Sequence, residues 1–147
     1  MSNTNIFKQF NNSIADLVNT PAVSATLAIV ARFMASAIFL GAGISKLGAG
    51  YAGTQGYMAS MGVSGGLLPL VIALELGGGI ALLLGFQTRL VALLLAGFTI
   101  IAGLIFHAGA DQMQQIMLMK NFAMAGGLLA FTLFAAGRFS LDGESRA

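Results

Sequence analysis

Leu67–Arg89, LLPLVIALELGGGIALLLGFQTR, is an apolar stretch about as long as a membrane span, with one carboxylate, Glu75, near its middle. A charge at mid-bilayer costs a few kcal/mol even on gentle insertion scales, so Glu75 should face other helices or a wet cavity. Gly77, Gly78 and Gly79 follow one turn later. A helix without side chains there admits a close partner, which could bring a counter-charge to Glu75.

The rest of the chain has the same character. Of its 147 residues 57% are hydrophobic and 8% charged, with mean hydropathy +0.88. A soluble domain would carry roughly 25% charged residues. Four apolar runs, about 22–47, 67–84, 88–107 and 116–136, each approach the ~20 residues that cross ~30 Å of hydrocarbon. The alternating ~10-residue segments of a β-barrel are absent. The expected fold is all-α: an integral membrane four-helix bundle over residues 21–142, preceded by an N-terminal segment (1–20) and followed by a polar tail (143–147). The first run is too long for a signal-peptide core and is read as a span.

Ile6, Phe7, Phe10, Ile14, Leu17 and Val18 recur at helical spacing in segment 1–20. They predict a short amphipathic helix in the membrane interface, with a frayed tail as the alternative. Thr20–Pro21 reads as a helix start. Arg32, Ser36, Phe39, Gly43 and Lys46 share one face of the first span, assigned to the bundle interior. Residues 48–66, GAGYAGTQGYMASMGVSGG, form the longest connection. It is a candidate lid or docking surface, or an inert connector, and Met58 and Met61 suggest a short surface helix. Gly85 reads as a C-cap, Thr88 as the next N-cap, and Asp111 with Gln114 as a capping box.

Lys8, Arg89, Arg138 and Arg146 fall at the end that holds both termini, against Lys46 and Lys120 at the other. The bias predicts cytoplasmic termini. Lys46, His107, Asp111 and Lys120 would then meet at the outer end, with Glu75 at mid-depth. Arg32, slightly to the cytoplasmic side of the middle, should pair with Glu75.

The same composition excludes chemistries. No cysteine is present, which removes thiol catalysis, thiolate-bound zinc and Cys-ligated clusters. One histidine cannot ligate a bis-His haem, although His/Met ligation stays open. GGGIALLLG lies inside a span and lacks the preceding strand of a dinucleotide fingerprint, and no metal-ligand spacing appears. The small net charge of +2 gives no reason to expect nucleic acid. If electrons are handled, the carrier should be a lipid-soluble quinone or a partner's cofactor.

GISK (43–46), GYAGTQGYMASMG (50–62), LPLVIALELGGG (68–79), GFQTR (85–89), FH (106–107), MKNFAMAGGLL (119–129) and FSLD (139–142), in that order, resemble the DoxX family. The likeness is strongest to small inner-membrane members from Gram-negative bacteria. It implies a four-helix bundle in the bacterial inner membrane and an oxidoreductase linked to quinone, or a membrane subunit of one. Lys46, Glu75, Arg89, His107 and Lys120 stand inside these motifs; Arg32 just precedes them.

The functional expectation makes Glu75 and His107 the proton-handling, catalytic candidates and Lys46, Lys120 and Arg32 the groups that bind substrate or quinone. No metal and no covalent cofactor is expected. The same residues also have a structural reading, as a register-fixing pair, a solvated histidine at a helix end and snorkelling lysines. Two other functions compete: a non-catalytic anchor or assembly factor for a partner redox enzyme, and a small proton-coupled carrier acting as a homo-oligomer.

Overall fold

The computed structural model describes residues 3–137 and 139–143. Arg138, Arg146 and most of the 143–147 tail, which the charge-bias and domain readings used, lie outside the described residues. Among these, six helices follow one another: α1 Asn3–Val18, α2 Pro21–Ser45, α3 Ala49–Ser60, α4 Leu68–Leu84, α5 Thr88–Phe106 and α6 Gln112–Phe134, with a single 3-10 turn, Gly65–Leu67, ahead of α4. Four helices, α2, α4 with its leading turn, α5 and α6, are long and apolar enough to span a membrane. We call the end where α1 and the tail emerge proximal and the opposite end distal.

The bundle is two tightly packed pairs, α2 with α4 and α5 with α6, joined more thinly along α4 and α5 and barely between α2 and α6. The core is small: Phe39, Leu82, Ala92, Leu95, Ala96, Ala125 and Leu128. Large apolar side chains such as Phe33, Met34, Leu70, Leu90 and Leu133 stand on the outside instead. Outward apolar surface suits lipid, which solvates it without penalty, so close approach has to come from small residues. Gly79 lies against Leu40 of α2, where an added Cβ would come within 2.9 Å of Leu40 Cδ2. Gly78 meets Leu95 of α5, and Gly77 meets nothing. On α2, Gly43 is similarly filled by Leu76 of α4.

These contacts fix the α2–α4 register, and the register overturns the expected Arg32–Glu75 pair. Gly43, not Arg32, lies level with Glu75 and Leu76. Residues 32 and 43 are ~16 Å apart along a helix. Arg32 is level with Gly85 instead, so α2 starts well before α4 ends and aligning the span starts misjudged the depth.

Around Arg32 the proximal end is closed by the FSLD segment of the tail. The Leu141 and Asp142 N–H groups donate to Leu84 O (3.1 Å) and Gly85 O (2.8 Å), serving the carbonyls α4 leaves open. The Asp142 carboxylate then accepts from Gln87 N (2.7 Å) and Thr88 N (2.8 Å), the first open N–H groups of α5. Thr88 is therefore not the N-cap; its buried hydroxyl has no partner in hydrogen-bond geometry among the described residues. Gln87 holds that position in the left-handed region, φ 48°, at a cost of ~1 kcal/mol for a residue with a Cβ. Arg32, 3% exposed, donates from Nη2 to Phe139 O. Gly85, φ 67°, is the expected C-cap, and its missing side chain leaves room for Arg32 Nη1 and Ser140 Cβ. Arg89 Nη1 donates to Thr132 O and Leu133 O (3.2 and 2.8 Å), closing the C-terminus of α6.

Other caps also shift. Thr20 precedes α2 with Pro21 in its first turn, but its hydroxyl donates back to Asp16 O at 3.3 Å. The apolar stripe of α1, including Phe7 and Phe10, stands exposed. The 48–66 connection is largely the helix α3, with Met58 buried against Leu68 and Ile72 and Met61 exposed.

Burial penalises the Asp142 carboxylate, yet the hydrogen bonds from Thr88 and Gln87 and the nearby Arg32 charge outweigh it and hold its pKa below the usual 3.8. A carboxylate depressed on folding stabilises above its unfolded pKa and loses that contribution as pH falls through the folded value. We expect Asp142→Ala to lower stability at neutral pH by ~1–2 kcal/mol. In detergent melting curves the gap between wild type and variant should close as the pH falls below 3.8.

Candidate functional site

Lys46 ends α2 as its C-cap, where a cation is favoured by the helix dipole. Its ammonium bends back to Ala42 O (3.1 Å), one of the open carbonyls of α2, and across to Glu75, 2.9 Å from Oε1 and 2.8 Å from Oε2. The lysine side chain is 20% exposed and the glutamate 7%. Glu75 thus finds its counter-charge on the neighbouring helix as expected, from a different residue. Only Oε1 accepts a hydrogen bond; Oε2 lies close to the cation but outside hydrogen-bond geometry.

This pair sits in the wall of a 460 Å³ cavity at the distal end. Phe39, Ala42, Phe98 and Met124 make its walls largely apolar, and α3 roofs it through Thr54, Tyr57 and Met58. Tyr57 stacks on Phe106 with ring centroids 5.5 Å apart, tying α3 to the end of α5. His107, the residue that ends α5, lines the distal part of the cavity, with Nδ1 2.8 Å from Gln114 Oε1. With an oxygen as its partner, Nδ1 is the donor of this pair, and Nε2 has no hydrogen-bond partner among the described residues. Asp111 accepts from Gln114 N at 3.1 Å and so caps α6 as expected, but the Gln114 side chain goes to His107 and does not complete the box.

Lys46, Glu75 and His107 therefore share one cavity, while two expected members do not join them. Arg32 belongs to the proximal closure. Lys120 is exposed, and its ammonium lies near Met117 Sδ at 3.8 Å. The sequence reading passed over Thr99, which is 2% exposed, lines the cavity and leaves Oγ1 without a partner. Its signal is the buried stripe Ala92, Ala96, Thr99 and Gly103, spaced three and four apart, in which it alone carries a hydroxyl.

Four membrane-spanning helices in two packed pairs, with an ion pair held beside a cavity at one end, define a small polytopic membrane protein. The DoxX family model matches residues 14–108. The chain is 47% identical over 115 residues to "Inner membrane protein YqjF" of Escherichia coli (strain K12), covering 78% of this chain and 88% of the relative. It is 33% identical over 124 residues to "Inner membrane protein YphA" of the same organism, covering 79% and 88%. The chain belongs to the DoxX family and is a multi-pass inner-membrane protein. No solved structure matches it at a significant level.

Removing one member of a buried ion pair leaves the other charge unpaired, at a cost of ~3–5 kcal/mol, whereas replacing both by apolar groups is often neutral or better. Because Lys46 is incompletely buried, with its side chain 20% exposed, we place Glu75→Leu and Lys46→Met each at ~2–3 kcal/mol. The double variant should recover most of that loss. Unfolding in mixed micelles measures the cycle; additive single effects would show that the two side chains are not coupled.

Proposed function

We propose that the distal cavity binds the headgroup of a quinone and that the chain acts as a quinone-linked oxidoreductase, or as the membrane component of one. The observation that carries this reading is the pairing of apolar walls with a few buried polar atoms left open toward the interior. Ligand sites have that character, and 460 Å³ is within the usual ~300–1,000 Å³. Thr99 Oγ1 offers a hydroxyl to a carbonyl oxygen, and Lys46 a positive charge that favours electron density there. A ring with two carbonyls and an apolar body matches these features.

Reducing a quinone to a quinol takes up two electrons and two protons. Glu75 would exchange a proton beside the ring, and His107, through Nε2, would pass protons to and from water. The electrons would come from a reduced partner protein or soluble reductant at the distal face. Cytoplasmic termini, which the Lys and Arg bias favours, place that face outside. On the same topology the apolar stripe of α1 lies in the cytoplasmic headgroup region, because two residues join α1 to a span.

Mass spectrometry of molecules extracted from gently purified protein tests the reading. Wild type should carry isoprenoid quinone near one per chain. Glu75→Gln, which removes a charged hydrogen-bonding partner, should retain roughly tenfold less. Lipid alone in wild type, or equal quinone in both, would overturn it.

A further inference from the structure

The cavity has a second side, and it faces the bilayer. Helices α4 and α5 are joined by the shortest turn in the bundle and touch closely at Gly78 and Leu95, yet they pack against each other less than either packs on its outer neighbour. Distal to that contact, residues of both helices line the cavity. Leu67, Val71 and Glu75 recur four residues apart on the α4 side, and Phe98, Ile101 and Ile105 recur three and four apart on α5. Each set forms one stripe, and all six residues line the cavity. The cavity therefore extends into the gap between the two helices, with Phe39 and Ala42 of α2 and Met124 of α6 on its other walls.

The rim of this gap is open. Leu67 is 49% exposed and Ile101 59%, although both line the cavity. Ile38 of α2 and Tyr57 of α3 also line the cavity and are half-exposed, but only the α4–α5 gap has exposed lining residues on both of its walls, Leu67 on one and Ile101 with Ile105 on the other. Ile101 lies within a span, ~8 Å short of the distal end of α5, so this opening meets hydrocarbon. Above it, α3 and the Tyr57–Phe106 stack form a roof on the aqueous side.

We infer that this gap is a lateral portal, through which a ligand with a long apolar tail enters from the bilayer and beside which the tail stays when the headgroup is bound. The inference rests on the quinone reading and adds the route and the part of the molecule that route selects. The volume, 460 Å³, suits a ring and a short stub of tail, so a longer isoprenoid tail has to leave the protein. The apolar rim at Leu67, Val71 and Ile101 is the exit that costs no desolvation of polar groups.

The test compares a long-tailed isoprenoid quinone with a tail-less, water-soluble benzoquinone, each titrated against purified protein in lipid nanodiscs. Ile101→Trp puts a bulky ring on the rim, where the native side chain already faces lipid, and Leu67→Trp does so from the opposite wall. Leu104→Trp is the control, 51% exposed on the same helix but outside the cavity lining. We expect both rim variants to bind the long-tailed quinone about tenfold more weakly or slowly than wild type. They should bind the tail-less one unchanged, and the control should resemble wild type with both. Long-tailed binding unaffected by either rim variant would overturn the portal while leaving the headgroup site standing. Equal losses for both quinones would also overturn it, since the rim would then belong to the headgroup site. If wild type binds neither, the quinone reading fails, and the portal for it falls too.

Discussion

The register of α2 against α4 is the constraint on which the rest of the bundle depends. Two contacts in which a glycine receives a leucine, Gly43 with Leu76 and Gly79 with Leu40, let the backbones come close at only one offset. That offset sends the two charges on the inner face of α2 to different levels of α4, one near its middle and one at its C-terminal end. Lys46 meets Glu75, and Arg32 meets the C-cap at Gly85. A slip of one turn would move either charge by ~5.4 Å and strand it in a low dielectric, so packing and electrostatics support the same arrangement.

The spans were legible because bilayer thickness sets a length that composition reveals directly. Local chemistry was legible as well: Gly85 at φ 67° and the Asp111 cap depend on residues a few positions apart. What failed was non-local. Thr88 has the right chemistry to cap α5, but a carboxylate 54 residues away takes the N–H groups of Gln87 and of Thr88 itself, and the cap position falls one residue earlier, on Gln87. An anion complements a helix N-terminus better than a hydroxyl does. Gln114 could have completed a capping box and instead orients His107. The Arg32–Glu75 expectation compared depths along two helices without their relative offset, which only the inter-helix contacts supply. FSLD was conspicuous as a motif, but its role needed the open ends of α4 and α5 to be beside it.

The ion pair explains little of the stability. Two charges taken out of water lose several kcal/mol of hydration, which their attraction roughly returns. Well-packed apolar residues at 46 and 75 would hold α2 to α4 about as well. The pair is therefore better understood through what it presents to the cavity: a fixed positive charge and a carboxylate with one oxygen not hydrogen-bonded.

The two ends of the bundle make that point by contrast. At the proximal end, the Leu84 and Gly85 carbonyls and the Gln87 and Thr88 N–H groups find partners on one short tail segment, and Arg89 serves α6 in the same way. Little is left there for a ligand: the Arg32 and Thr88 atoms without a hydrogen-bond partner among the described residues are buried. At the distal end, comparable polar atoms on Glu75 and Thr99 border a cavity, with a histidine in its lining. An orphaned group in close packing is a local cost, but one beside a void is available to whatever enters. That difference, and not the number of polar residues at either end, assigns structure to the proximal end and chemistry to the distal one.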